Sequence, residues 1–254
     1  MNAASIAALS TSGVQVEVVP QTGSTNADLL ARAGALAQPL LLVAEHQTAG
    51  RGRAGRSWLS APGHSLTFSL AWKFESGPQA LSGLPLAVGV ALAETLGRLG
   101  VQVQLKWPND LLKDGDKLAG ILIETAAAPG PGIWAVIGVG LNLVMPDELE
   151  REIGRAVSAV PWLARMDRDE LMAALLDGLA AMLRQFERTG FATFAARWNL
   201  LHAYQGDTVR ILDRGAVLHE GVAAGVDDTG RLLLDTGERR IAIAAGDVSL
   251  RLKE

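Results

Sequence analysis

Cysteine is absent from the 254-residue chain. That excludes disulfides, thiolate nucleophiles and cysteine-built zinc sites. Histidine is scarce. His46, His64, His202 and His219 show neither HExxH nor HxH spacing, so no histidine-built metal site is expected. A basic surplus is also missing: 23 Lys and Arg stand against 27 Asp and Glu, for a net charge of −4. A nucleic-acid-binding domain carries a basic footprint, so DNA is not an expected partner. No Lys or Arg precedes Arg32, and no long apolar core accompanies the start of the chain. A signal peptide is therefore not expected. The longest apolar run, Ile133 to Met145, is interrupted by Gly138, Gly140 and Asn142 and is too short to span a bilayer. A cytoplasmic location without a membrane partner is the expectation.

What is present reads as globular, with 49% apolar and 20% charged residues. The length suits one large domain, or a medium domain with a small one. Residues 1–13 are rich in Ala, Ser and Thr and are expected to be loosely ordered. Val14 to Val19 reads as a strand. A helix is expected at about 25–35, with Thr25-x-x-Asp28 as a capping box. Leu40 to Ala44 and Leu66 to Trp72 read as strands. Leu84 to Leu99 has helical spacing, with Pro85 in the first turn. Val101 to Leu105 alternates and reads as a strand. Lys113-Asp114-Gly115-Asp116 is a hairpin turn between Leu111-Leu112 and Leu118 to Ile123, and Pro129 to Gly132 is a second turn. A buried strand at Ile133 to Leu143 follows, then an amphipathic helix at 168–188 and a shorter one at about 191–200. Short β segments, punctuated by Asp213-Arg214-Gly215, Asp227 to Gly230 and Thr236-Gly237, fill the chain from Gly206 onward. The expectation is an α+β domain over residues 14–205, with a mixed, mainly antiparallel sheet, and a small β-barrel over 206–254.

Four motifs carry chemistry. Ala49 to Trp58 holds Arg51, Arg53 and Arg56 among Gly50, Gly52 and Gly55, with Trp58 closing it. Glycine allows close backbone approach, arginine presents a fork that matches carboxylate and phosphate, and tryptophan gives a base a surface to stack on. Gly50-x-Gly52-x-x-Gly55 formally matches a dinucleotide fingerprint, but no helix follows it, as that fingerprint requires. On an acidic chain the loop favours a small anionic ligand. Lys106-Trp107-Pro108-Asn109-Asp110 clusters polar residues at a bend, with Lys117 across a hairpin from Asn109 and Asp110. Gly138-Val139-Gly140-Leu141-Asn142 puts two glycines inside an apolar strand, which marks a bulge or the close approach of a ligand. Ser24-Thr25-Asn26 reads as a helix N-cap whose backbone N–H groups can face a polar ligand.

Taken in order, these motifs resemble the biotin–protein ligases. The resemblance rests on Ser24-Thr25-Asn26, Glu45 to Trp58, Lys106 to Asp110, Lys117 to Leu122, Gly138 to Asn142 and Gly246 to Arg251, and covers about residues 14–252. It implies a catalytic domain related to class II aminoacyl-tRNA synthetases, followed by an SH3-like barrel. Ser24-Thr25-Asn26 comes too early for a preceding winged helix, so the monofunctional type is expected. The implied reaction joins biotin and MgATP into biotinyl-5′-AMP, then passes the acyl group to one lysine of a biotin carboxyl carrier domain. A homodimer through a sheet edge is left open. A lipoate-type ligase of the same fold and an inactive biotin-binding module are the alternatives.

By resemblance, Arg53, Lys117 and Asp110 are the candidate catalytic residues. Ser24, Thr25, Asn26, Gln47, Gly50, Arg51, Gly52, Arg53, Ser69, Lys117, Gly120 and Gly140 are the candidates for biotin. Arg53, Arg56, Trp58, Asn109, Lys117 and Asn142 are the candidates for ATP. Asp110 is assigned to the acceptor amine or Mg²⁺.

Overall fold

Two periodicities shape the chain. Runs buried on both faces form the central strands, and 3.6-residue stripes form the helices that cover them. The computed structural model describes residues 1–254 except Pro129, Arg155, Arg214, Asp247 and Glu254. Parts of the expected turns at 129–132 and 213–215, and of the motif at 246–251, thus lie outside the described residues.

The elements run α1 (Ala3–Leu9), β1 (Gln15–Val19), α2 (Thr25–Arg32), β2 (Leu40–Ala44), β3 (Ser65–Phe74), α3 (Leu84–Arg98), β4 (Gln104–Lys106), β5 (Asp110–Lys113), β6 (Asp116–Ala127) and β7 (Ile133–Asn142). Then come α4 (Asp147–Ile153), α5 (Arg168–Thr189), α6 (Ala192–Leu200) and β8 (Thr208–Asp213), β9 (Ala216–Val226), β10 (Leu232–Asp235), β11 (Arg240–Ile243) and β12 (Val248–Leu252). The first seven strands form one sheet in the order β1-β2-β3-β7-β6-β5-β4. β1 and β2 pair in parallel, and the other pairs are antiparallel. The last five form a second, antiparallel sheet in the order β11-β10-β9-β8-β12.

Alternation assigns each side chain of the large sheet to a face. Leu41, Val43, Leu66, Phe68, Leu70, Ile121 and Ile137 join the main core beneath α3 and α5. Leu40, Leu42, Ala71, Trp134 and Val136 face the other way and meet Leu29 and Ala33 at the end of α2. α3 is apolar on nearly all sides. Together with the turn before it (Pro78–Arg98), it is long and apolar enough to cross a membrane by composition alone. Here it is packed against β4, β5, β6, α5 and α6, and eleven of its residues are buried. The main core runs on without a break into the second sheet through Val209, Ile211, Ala223, Leu232, Leu234 and Leu250. Polar links reinforce that seam: Asn199 accepts from Val226 N at 2.8 Å, and Trp107 Nε1 donates to Gly230 O at 3.2 Å.

Three expectations differ from the structure. The start of the chain is helical, because Asn2 caps α1 and Ile6 is buried, and Asp177 on α5 accepts from Thr11 N and both hydroxyls of Ser10 and Thr11. The strand expected at Val101 to Leu105 begins only at Gln104. The Val101 N–H is spent on Leu96 O at 2.8 Å, past the left-handed Gly100, and so ends α3. The cap of α2 is Ser24, whose Oγ faces Ala27 N, rather than Thr25. Thr25 is thereby free to point into the site. α4 and β12 were not foreseen as elements.

Candidate active site

The site forms over the α2-facing side of the large sheet, where two neighbouring rungs have glycine at their centre. In the first, Ala44, Thr67, Gly140, Gly120, Asp110 and Lys106 lie in register across six strands. In the second, Leu42, Ser69, Gly138 and Leu122 do so. The glycines leave a floor of bare main chain, with Asn26 packed over Gly138 and Trp58 over Gly140. Added side chains would collide there: a Cβ on Gly140 would stand 2.2 Å from Trp58 Cε2, and one on Gly138 would stand 2.3 Å from Asn26 Oδ1. Neither glycine has a positive φ, so the requirement comes from the space above it and not from the backbone.

Over this floor lies a cleft of about 1020 Å³, its open mouth included. One wall is the N-terminus of α2. Gln47 Oε1 accepts from Thr25 N at 2.8 Å and lies 3.0 Å from Thr25 Oγ1. Thr25 Oγ1 lies 2.7 Å from Ser69 Oγ, which donates to Asn26 Oδ1 at 2.6 Å. Asn26 Nδ2 donates to Glu124 Oε2 at 3.0 Å. Ser24, Thr25, Asn26, Gln47 and Ser69 are all buried, so this chain is a preorganised polar wall.

The lid is the Gly/Arg loop. Trp58 N donates to Gly50 O at 2.9 Å and Gly52 N to Arg56 O at 2.7 Å, which folds residues 50–58 back on themselves. Ala54 takes a left-handed conformation at φ 52° at the tip. Arg51 Nη2 pairs with Glu124 at 2.6 Å. Arg53 Nη1 donates to Asn109 Oδ1 at 3.0 Å, and its Nη2 donates to the Gly246 carbonyl beside the second sheet. Asn109 is fixed in turn by Ile121 O, which accepts from its Nδ2 at 2.8 Å. The Trp58 indole lies over Gly120 and Gly140.

Lys117 Nζ sits 2.6 Å from Asp110 Oδ1 and 5.7 Å from the centre of the Trp58 ring. Both charged side chains are 18% exposed, so they face the cleft and little bulk water. A second recess, lined by Leu59, Asn142, Glu152 and Val157, adjoins the first. Arg56, Ser57, Trp58, Lys117 and Arg251 belong to both. Lys117 therefore stands at the junction of the two recesses. An ammonium and nearby guanidinium groups at such a junction can bring two anions together and offset charge that builds up between them.

The structure gathers nearly all the expected site residues around this cleft. Gly50 stands behind the lining, where a Cβ would meet the Trp58 carbonyl at 2.4 Å, so it shapes the loop without facing the cleft. Asn142 lies in the second recess only, and its Nδ2 is engaged by Ser158 O at 3.2 Å and Lys117 O at 3.4 Å. Sequence reasoning missed Glu124, whose only signal was its place two and four residues beyond Leu122 and Gly120 on the same face of a strand. It also gave no role to Arg251, which reaches both recesses from β12. Among the described residues, no group of three or more His, Asp or Glu is placed to hold a metal ion.

Gly138→Ala tests the floor. Its backbone is ordinary, so the variant should melt within a few degrees of the parent. Its methyl group should displace Asn26 and weaken binding to the polar wall about tenfold or more. Thermal unfolding and ligand titration would read the two effects separately.

Residues 17–142 match the family model described as "Biotin/lipoate A/B protein ligase family", and residues 206–251 match "Biotin protein ligase C terminal domain". The biotin--[acetyl-CoA-carboxylase] ligase of Mycobacterium tuberculosis is 40% identical over 242 residues, which is 92% of this chain and 88% of that protein. The bifunctional ligase/repressor BirA of Escherichia coli is 37% identical over 249 residues, covering 95% of this chain and 76% of that protein. A solved biotin protein ligase from Aquifex aeolicus, in complex with biotin and ATP, superposes with a TM-score of 0.78 at 27% identity, over 94% of this chain and 99% of that one. With its fold and sequence both shared at this level, the chain belongs to the biotin protein ligases of the biotin/lipoate A/B protein ligase family.

Proposed function

We propose that the cleft and its adjoining recess are the biotin and ATP sites of this ligase. The chain is an ATP-dependent enzyme that activates biotin as biotinyl-5′-AMP and transfers it to a carboxyl carrier protein. The observation that carries the site assignment is Lys117, mostly buried, held by Asp110, at the junction of the two recesses.

The reaction needs no protein nucleophile. The biotin carboxylate attacks the α-phosphorus of ATP, and pyrophosphate leaves. Two anions must be held in line, so the work falls to positioning and to fixed positive charge. In this reading the wall of Ser24, Thr25, Asn26, Gln47 and Ser69 binds the ureido ring through donors and acceptors already in place. A lipoyl group offers no ureido, so that wall is poorly matched to it. Lys117 and Arg53 take the carboxylate and α-phosphate. Arg56, Trp58 and Asn142 serve the nucleotide, and Mg²⁺ arrives with ATP. The lid, closed over the adenylate, keeps water from the mixed anhydride. Asp110, beside Lys117, steers that cation and the incoming acceptor lysine.

The finer architecture is part of the proposal. A seven-stranded, mainly antiparallel sheet backed by helices supports a class II synthetase-like domain over 14–205. The five short antiparallel strands from Thr208 to Leu252 support an SH3-like barrel over 206–254.

Mass spectrometry of a purified biotin carboxyl carrier domain, after incubation with this protein, biotin and MgATP, tests the function. The expected result is the mass of one biotin on one lysine. An unmodified carrier together with biotin-dependent pyrophosphate release would confine the chain to the first step, and no pyrophosphate release would sink the reading.

A further inference from the structure

Among the described residues, Glu124 is the one carboxylate that touches both the wall and the lid. It lies on β6, one rung beyond Leu122, with a side chain 23% exposed. One oxygen accepts from Asn26 Nδ2 at 3.0 Å and the other from Arg51 Nη2 at 2.6 Å. Those partners are 98 and 73 residues away in sequence, so Glu124 ties the N-terminus of α2 to the Gly/Arg loop through the sheet.

We propose that Glu124 is a positioning residue for biotin, fixing the hydrogen-bond direction of the polar wall and holding the lid above it. The inference rests on the reading of this cleft as the biotin site. An ionised carboxylate only accepts. Together with the Leu122 carbonyl, which accepts from the same Nδ2 at 3.4 Å, it makes Asn26 present its amide NH₂, which leaves Asn26 Oδ1 to accept from Ser69. The Ser69 proton is committed there, so the Ser69 oxygen accepts from Thr25 Oγ1. Gln47 Oε1 is held by Thr25 N, and the Gln47 amide NH₂ remains on the side of Gly50. Glu124, the nearer of the two acceptors on Asn26, thus biases which of Asn26, Ser69 and Thr25 the wall offers to a ureido ring as donors and which as acceptors. The same charge draws Arg51 down beside the floor. Arg51 is 46% exposed, and an ion pair this open adds little to global stability. Its effect falls on the order of the wall and lid.

Glu124→Gln, Arg51→Met and the double variant test this in the full-length protein, with Glu124→Asp as the charge-conserving control. Glutamine can turn its own NH₂ toward Asn26 and so admits the reversed chain. The expected result is a KM for biotin raised about tenfold in Glu124→Gln with the KM for ATP unmoved, and faster loss of bound biotinyl-adenylate. Glu124→Asp should recover part of the biotin KM. The double variant should release adenylate no faster than the quicker single variant, because both remove one link. The proposal falls if Glu124→Gln keeps the parental biotin KM and adenylate half-life. It falls equally if both KM values rise together with a lowered Tm, the mark of a merely structural residue. Parent protein run in parallel separates the two readings: a parent that forms no biotinyl-adenylate overturns the site assignment itself.

Discussion

Lys117→Ala is expected to slow biotinyl-adenylate formation by about 10²- to 10³-fold, the range seen when one preorganised electrostatic donor is removed from a transition state. The local geometry argues for the upper end. Lys117 is the partner of Asp110 at 2.6 Å, and both side chains are mostly buried. Alanine leaves the Asp110 carboxylate without its ammonium, facing a carboxylate and a triphosphate. The lost attraction is then joined by a new repulsion. It follows that adding Asp110→Asn to Lys117→Ala should restore several-fold of the lost rate, although each change alone is harmful. The fold should persist, since the pair keeps some access to water and its contribution to stability is discounted accordingly. Biotin-dependent pyrophosphate release measures the step. Near-parental release from Lys117→Ala would falsify the assignment.

Arg53→Gly should act on retention. Among the described residues Arg53 pins the lid to the Asn109 carboxamide and the Gly246 carbonyl, and so joins the loop both to the bend before β5 and to the edge of the second sheet. Glycine removes both bonds and adds backbone freedom next to Gly52 and Gly55. Two charge-assisted hydrogen bonds at roughly 1.5 kcal/mol or more each correspond to escape of the adenylate on the order of 10²-fold faster. The freed mixed anhydride should acylate lysines on bystander proteins. A chase of labelled adenylate gives the half-life, and peptide mapping of an added carrier-unrelated protein gives the spread. An unchanged half-life counts against retention by the lid.

Much of this could be read before any coordinates. α3, α5 and β7 announce themselves by period and length, and the hairpin at Asp114-Gly115 by its turn residues, which adopt φ 53° and 88°. The ordered motifs placed Ser24, Gln47, Arg53, Trp58 and Lys117 around one cleft. What stayed hidden depended on distant partners. α1 is short and weakly patterned, and its order comes from Asp177 on α5. The alternation of Val101 to Leu105 is genuine, but the end of α3 claims the first of those N–H groups. Glu124 looks like any solvent-facing strand residue until α2 and the Gly/Arg loop are laid over it.

The glycine rungs have a consequence for how this enzyme can change. Where Gly120, Gly138 and Gly140 form the floor, the surface is peptide backbone, and a side chain written at any of them meets Lys117, Asn26 or Trp58 first. Mutation there disturbs the wall or the lid before it reshapes the floor. Any drift or redesign toward another acyl substrate must therefore proceed through α2, Gln47, Ser69 and the Gly/Arg loop, a small set of positions that a focused library could cover.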